Sequence, residues 1–286
     1  MKLWMTAAAL AAAMAAAPAL AAPPTAIFTD PPADAAHPAH MDVLHIPSGG
    51  VEINAIAYVP AGAGPHPVVV LLHGLPGNEK NLDLAQAMRR AGWTVVAPNY
   101  RGSWGSPGTF SFRGNLDDAR AVLAYVRDPA HAAALQADPK KLVLMGHSMG
   151  GWVTSQIAGA DPALAGAVLI SAADVGRLGG MPEEARVKLA SDNMEALAGV
   201  TAESMAAEMA TLDEATFAAA APGLARHPLL VLTADDGLAP NAEALAADVR
   251  QRGGKVSVVH VATDHGWNTA RIRLETEVLN WLAALP

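Results

Sequence analysis

The chain has 286 residues, 52% of them hydrophobic, a formal net charge of −8 and no cysteine. Without cysteine there is no disulfide framework, so the core must suffice by burial alone, and the length suits one large α/β domain better than two. The few basic residues are scattered rather than clustered, which argues against a nucleic-acid partner, because phosphate binding needs a concentrated basic face.

The first 21 residues combine Lys2, an Ala/Leu/Met-rich apolar stretch and Ala19-Leu20-Ala21, an A-x-A cleavage pattern. They predict a signal peptide over 1–21 and an exported protein, periplasmic or secreted, with no stable membrane insertion after cleavage. A retained anchor is the alternative, since a span needs about 20 apolar residues. Pro18 and the Pro23-Pro24 pair suit the end of a signal peptide better. Residues 22–40 are rich in Pro and Ala and read as a flexible leader to a domain over 41–286.

Met41–Ile46 and Val51–Val59 alternate apolar and polar residues around "PSGG", the pattern of an antiparallel hairpin at a sheet edge. Six short apolar runs follow: Pro67–Gly74, Trp93–Tyr100, Lys141–Gly146, Leu164–Ser171, Pro228–Ala234 and Lys255–Val261. Such runs mark strands buried on both faces of a parallel sheet. Helical stripes separate them, as in Leu82, Ala85 and Met88, in Ala119, Val122, Leu123 and Val126, and in Leu274, Val278, Trp281 and Leu282. The alternation predicts a doubly wound α/β sheet of about eight strands.

One connection breaks the rhythm. Residues 172–225 contain no strand but two helical stretches, about Glu183–Leu197 and Ala202–Ala219, the second opened by Thr201 as N-cap with Val200 and Met205 as a hydrophobic staple. This insert is expected to cap the strand ends. Met205, Met209 and Leu212 fall on one stripe, which either faces the groove above Ser148 or is plain core.

Gly146-His147-Ser148-Met149-Gly150 is a G-x-S-x-G, the pattern of a nucleophile elbow, following an apolar strand and preceding a helix-compatible run. A serine at such a strained turn would collide with side chains two residues before and after it. Gly146 and Gly150 remove them, and Gly151 lets the helix press on the sheet. A serine hydroxyl needs a base to take its proton and an acid to orient that base. Asp235 and Asp236 follow one strand and His265 the next, at carboxyl ends where open α/β sheets bind ligands. His147 is expected to point away from the site, His260 to pack inside the last strand, and Asp264 to face outward. Arg101 reads as a structural ion-pair former.

"HGLPG", "NYRGSWGSPG", "GHSMGG", "TADDGLAP" and "TDHGW", in this order, make the chain resemble the α/β-hydrolase superfamily, in particular bacterial esterases and the catalytic domain of prolyl-oligopeptidase-like serine hydrolases. The resemblance implies a triad of Ser148, Asp236 and His265. Asp236 is favoured over Asp235 because it stands four residues before Pro240. It also implies backbone oxyanion donors at Leu75 and Met149, with no cofactor and no metal. The implied activity is cleavage of a carboxylic ester, with a peptide-like substrate or a thioester as alternatives in the same chemistry. A catalytically inactive binding protein of the same fold is the non-enzyme alternative. A metal-dependent hydrolase finds no ligand spacing in the sequence.

Overall fold

Gly49 and Gly50, at φ 56° and 83°, close the first hairpin with a turn that side-chain-bearing residues rarely adopt. The computed structural model, which describes residues 22–286, pairs β1 (His40–Ser48) with β2 (Val51–Val59) in unbroken antiparallel register from His40–Val59 to Ser48–Val51. The expected signal peptide, 1–21, lies outside the described residues. β2 then joins the antiparallel edge of β4 (Thr94–Pro98), and β4, β3 (His66–Leu72), β5 (Ala137–His147), β6 (Gly166–Ile170), β7 (Leu229–Ala234) and β8 (Val256–Val261) continue in parallel. The result is one eight-stranded sheet of order β1-β2-β4-β3-β5-β6-β7-β8, the expected doubly wound α/β-hydrolase arrangement.

Strand parity assigns the core to two layers. Val68, Val70, Leu72, Leu142 and Leu144 point to one face, where α2 (Phe112–Arg127), α4 (Met149–Ala160) and α8 (Ala239–Gln251) lie, with α3 (Pro129–Ala134) packed beside α2. Val69, Leu71, Val143 and Met145 point to the other, under α1 (Leu82–Arg90) and α9 (Arg271–Ala283). Each fully buried Val or Leu contributes about 1.5–3 kcal/mol, which holds the strand ends rigid beneath the loops that carry polar side chains.

Two expectations need correcting here. The leader is not free: Thr25–Ile27 forms a 3-10 turn whose Ile27 is buried against α1 and α9, and Arg90 donates to the carbonyls of Ala26 and Ile27 at 2.5 and 3.0 Å. β8 is not buried on both faces, since as the terminal strand of the sheet it has only half-buried and exposed positions.

Between β6 and β7 the chain forms a 3-10 turn (Val175–Gly180) and then α5 (Glu183–Ser191), α6 (Ala202–Met209) and α7 (Phe217–Leu224). The first expected helix stops at Ser191, and residues 192–200 run on as a strap that bridges Leu197 to Ser103. The second divides because Thr216 caps a new helix, accepting from the Ala219 N–H. Thr201 does cap α6, in a capping box with Ser204. The segment is pinned to the domain through Glu208, whose carboxylate accepts the N–H groups of Phe112 and Arg113 at the positive end of α2. Trp152 of α4 donates to the Ala215 carbonyl at 2.6 Å.

Candidate active site

β5 ends at His147, and Ser148 turns the chain into α4 at φ 56°, ψ −121°. A non-glycine residue there costs about 1–3 kcal/mol, so the surroundings must over-determine it. They do: the Ser148 N–H donates to the Ile170 carbonyl at 2.9 Å, and its own carbonyl accepts from Gly151 and Ala173 at 3.0 and 3.1 Å. A Cβ on Gly146 would stand 2.0 Å from the Gly150 carbonyl oxygen, and one on Gly150 would stand 2.4 Å from that of Leu72. One on Gly151 would meet the Ala172 Cβ at 2.4 Å. The three glycines are therefore the clearance that lets Ser148 stand at the strand ends.

The two adjacent aspartates after β7 diverge. Asp236 Oδ2 accepts from His265 Nδ1 at 2.8 Å, with the Asp236 side chain 3% exposed. Its Oδ1 accepts the Leu238 N–H at 2.9 Å. Burial pushes the Asp236 carboxyl up, but the hydrogen bonds from His265, Leu238 and Ser171 outweigh it and hold the group below the usual carboxylate range. Asp235 points the other way, to His260 Nε2 at 3.0 Å, while His260 Nδ1 meets Thr233 Oγ1 at 2.9 Å. His260 is thus an exposed partner of Asp235 and not the packed strand residue expected, because β8 leaves that face open. Asp264 faces outward as expected, capping Asn268.

Ser148 and His265 line one cleft of about 310 Å³ with Gly74, Leu75, Pro76, Asn78 and Asn193. No direct hydrogen bond joins Ser148 Oγ to His265 among the described residues. Leu75 follows Gly74 in the cleft wall, and Met149 opens α4, where first-turn N–H groups have no intrahelical acceptor. The loop shape depends on His73, whose Nδ1 donates to the Gly74 carbonyl at 2.8 Å and whose ring packs edge-on to Tyr100. Burial pushes His73 down to about 4, against the opposing pull of that hydrogen bond, with nearby Lys80 adding to the depression.

Several contacts around the cleft left no local trace in the sequence. Arg271, at the start of α9, donates to Gly266 O and Asn81 Oδ1, both at 3.0 Å, and grips both oxygens of Asp83, so the His265 loop is tied to the loop after β3. Trp104 donates to the Pro76 carbonyl at 2.6 Å, lies under Lys80 Nζ at 4.3 Å, and takes the Ala196 carbonyl on its own N–H. Asn78 reaches Glu195 at 2.8 Å, so the strap is laced to the cleft rim from two sides. Arg101 is the structural ion-pair former expected, meeting the buried Asp118 at 2.8 Å.

His147 corrects another expectation. Its ring does not turn away but is buried against His265, centroids 4.7 Å apart, with Nε2 2.8 Å from the His265 carbonyl oxygen. The methionine stripe is core: Met205, Met209 and Leu212 are at most 1% exposed and none lines the cleft, which the insert reaches through Asn193.

Residues 63–207, about half of the chain, match the family described as serine aminopeptidase, S33. An uncharacterized protein of Mycobacterium tuberculosis is 28% identical over 129 residues, 45% of this chain and 44% of that protein. The chain spans less than half the length of the curated relatives it matches. Among solved structures, the thermostable carboxylesterase EstE1 from a metagenomic library has a TM-score of 0.64 at 25% identity, covering 91% of this chain and 90% of that one. Acylaminoacyl peptidase of Pyrococcus horikoshii reaches 0.67 at 16% identity, over 86% of this chain and 42% of that one, a likeness of fold alone.

Proposed function

Since this chain belongs to the serine aminopeptidase S33 family of α/β-hydrolases, we propose that it cleaves carboxylic esters through an acyl-enzyme formed on Ser148. The observation that carries this reading is the 2.8 Å bond between Asp236 and His265 Nδ1 beside the cleft that Ser148 lines. With Nδ1–H committed to Asp236, His265 Nε2 holds a lone pair and serves as the base.

In this mechanism His265 Nε2 takes the Ser148 Oγ proton as Oγ attacks the ester carbonyl. The oxyanion that forms is received by the N–H groups of Leu75 and Met149, each worth about 3 kcal/mol in the transition state. Collapse breaks the ester C–O bond, and His265 returns its proton to the departing alcohol. Water, deprotonated by His265, then repeats the sequence on the acyl-enzyme and frees the acid. Asp236 stays ionised throughout, stabilising the imidazolium without taking its proton.

A cleft of about 310 Å³ is at the small end for a ligand site, which supports short acyl groups. The likeness to the carboxylesterase favours esters, while the family's description keeps peptidase activity as the second reading. Export is part of the proposal and rests on the 1–21 stretch alone; a mature N-terminus at Ala22 is its expected sign. The test of substrate class is a panel of p-nitrophenyl esters of increasing chain length beside aminoacyl and peptidyl p-nitroanilides. Acetate and butyrate esters should turn over fastest. Preference for an anilide would make the enzyme a peptidase, and turnover of neither, with an unlabelled Ser148, a binding protein.

A further inference from the structure

His147 immediately precedes Ser148 at the end of β5, and the residue is 4% exposed. Nε2 lies 2.8 Å from the backbone oxygen of His265. A carbonyl only accepts, so Nε2 must carry the proton and donate. Nδ1 is then a bare lone pair, buried with no hydrogen-bond partner among the described residues. A second proton there would create a buried cation facing no acceptor. Burial accordingly pushes His147 down to about 4, with the neighbouring His265 and Arg271 charges acting the same way. His147 is therefore neutral and of one tautomer at neutral pH.

The next carbonyl along, that of Gly266, is held by Arg271 Nη1 at 3.0 Å. Two successive carbonyls of the loop are thus gripped by donors from different parts of the fold. Arg271 refers the loop to Asn81 and Asp83, beyond the cleft wall. His147 refers it to the nucleophile itself, since one peptide bond joins it to Ser148. Ring packing at 4.7 Å between the two histidines adds a second contact along the same path.

We propose that His147 is a positioning residue that fixes His265 relative to Ser148 by donating Nε2–H to the His265 backbone carbonyl. This rests on the serine-hydrolase reading above but makes a separate claim about how the base is held. His147 exchanges no proton with substrate; its part is to keep the base loop at one distance from the elbow, where a displacement of about 1 Å can cost about 100-fold in rate.

The direct test compares His147→Gln, whose amide nitrogen can occupy the place of Nε2, with His147→Leu, which fills the space and donates nothing. With p-nitrophenyl acetate, His147→Leu should lose about 10- to 100-fold in kcat at little changed KM. His147→Gln should recover most of that loss. The dependence of kcat on pH around neutrality should keep its shape in both, because buried His147, pushed down to about 4, stays neutral there. Equal impairment of the two variants, or full activity of the leucine variant, overturns the proposal. Should either variant fold poorly, nitrogen-15 spectra of histidine-labelled wild-type protein decide the matter. The Nε2–H tautomer, unchanged across neutral pH, supports the proposal, and a Nδ1–H tautomer or a titrating His147 ends it. Loss of the hydrolase reading shows separately, as wild-type protein that turns over no ester.

Discussion

Gly74 packs over Ser148 so closely that a Cβ built on it would stand 2.8 Å from the serine Cβ and 3.3 Å from Oγ. The loop after β3 and the elbow after β5 are thus in contact, and in the proposed mechanism this is where two backbone donors and one hydroxyl converge on a carbonyl. Gly74→Ala should therefore push the Leu75 amide away from its working position while leaving the buried sheet intact. The expected loss is about 100-fold in kcat for a short ester, with little change in melting temperature. A variant of normal kcat would show that this wall takes no part in turnover.

Asp235 and Asp236 are neighbours with separate partners, which makes them a matched pair for mutation. Asp236→Asn should lower kcat by about 10⁴, since an amide cannot hold His265 in the working tautomer. Asp235→Asn, which affects only the exposed contact to His260, should leave kcat within a few-fold. Because the Asp236 carboxyl is held below its ordinary range, it stabilises the fold above the unfolded-state pKa, and that contribution is lost as pH falls through the folded one. Urea titrations at acidic pH should show a flatter decline for Asp236→Asn than for wild type.

His73 and His147 act in the opposite sense to a paired histidine. Both are buried neutral and pushed down to about 4 from 6.5. Between those values the unfolded chain binds protons that the folded chain refuses, so stability rises with pH through this window and is fully present above it. Each group contributes a slope of about 1.4 kcal/mol per pH unit. His147→Gln should remove one such slope, read as the unfolding free energy against pH; an unchanged slope would contradict the burial of this ring.

Much of this architecture is written locally. Runs such as Val68–Leu72 are apolar at both parities because both faces are covered, and the elbow declares itself because its glycines are steric requirements. What is not local is unreadable. Nothing in "VSVVHV" says that β8 ends the sheet, so His260 reads as packed when it is exposed. Two consecutive aspartates cannot be separated by spacing alone, since their partners lie 25 and 29 positions away. The grip of His147 on the His265 carbonyl spans 118 positions and that of Arg271 on Asp83 spans 188, so neither has a sequence signature. Ile27 is a single apolar anchor in a Pro/Ala stretch, too little for periodicity to register.

Met205 and Met209 show the same limit, since a helical stripe tells which face is apolar but not what it meets. As fully buried core residues they should matter for stability and not for chain-length preference. Met209→Ala should cost about 2–5 kcal/mol and change kcat/KM for hexanoate and acetate esters by the same factor. A selective loss on hexanoate would return the stripe to the substrate path.

The central claim is that Ser148 is the nucleophile, and covalent trapping tests it most directly. Wild-type protein incubated with a fluorophosphonate should gain one adduct per chain, mapping by peptide mass to Ser148, as ester turnover falls to zero. Ser148→Ala should take up no label and keep only the residual rate of about 10³–10⁴ over water that binding and the oxyanion donors supply. An adduct on another residue, or near-normal turnover by Ser148→Ala, would contradict the account.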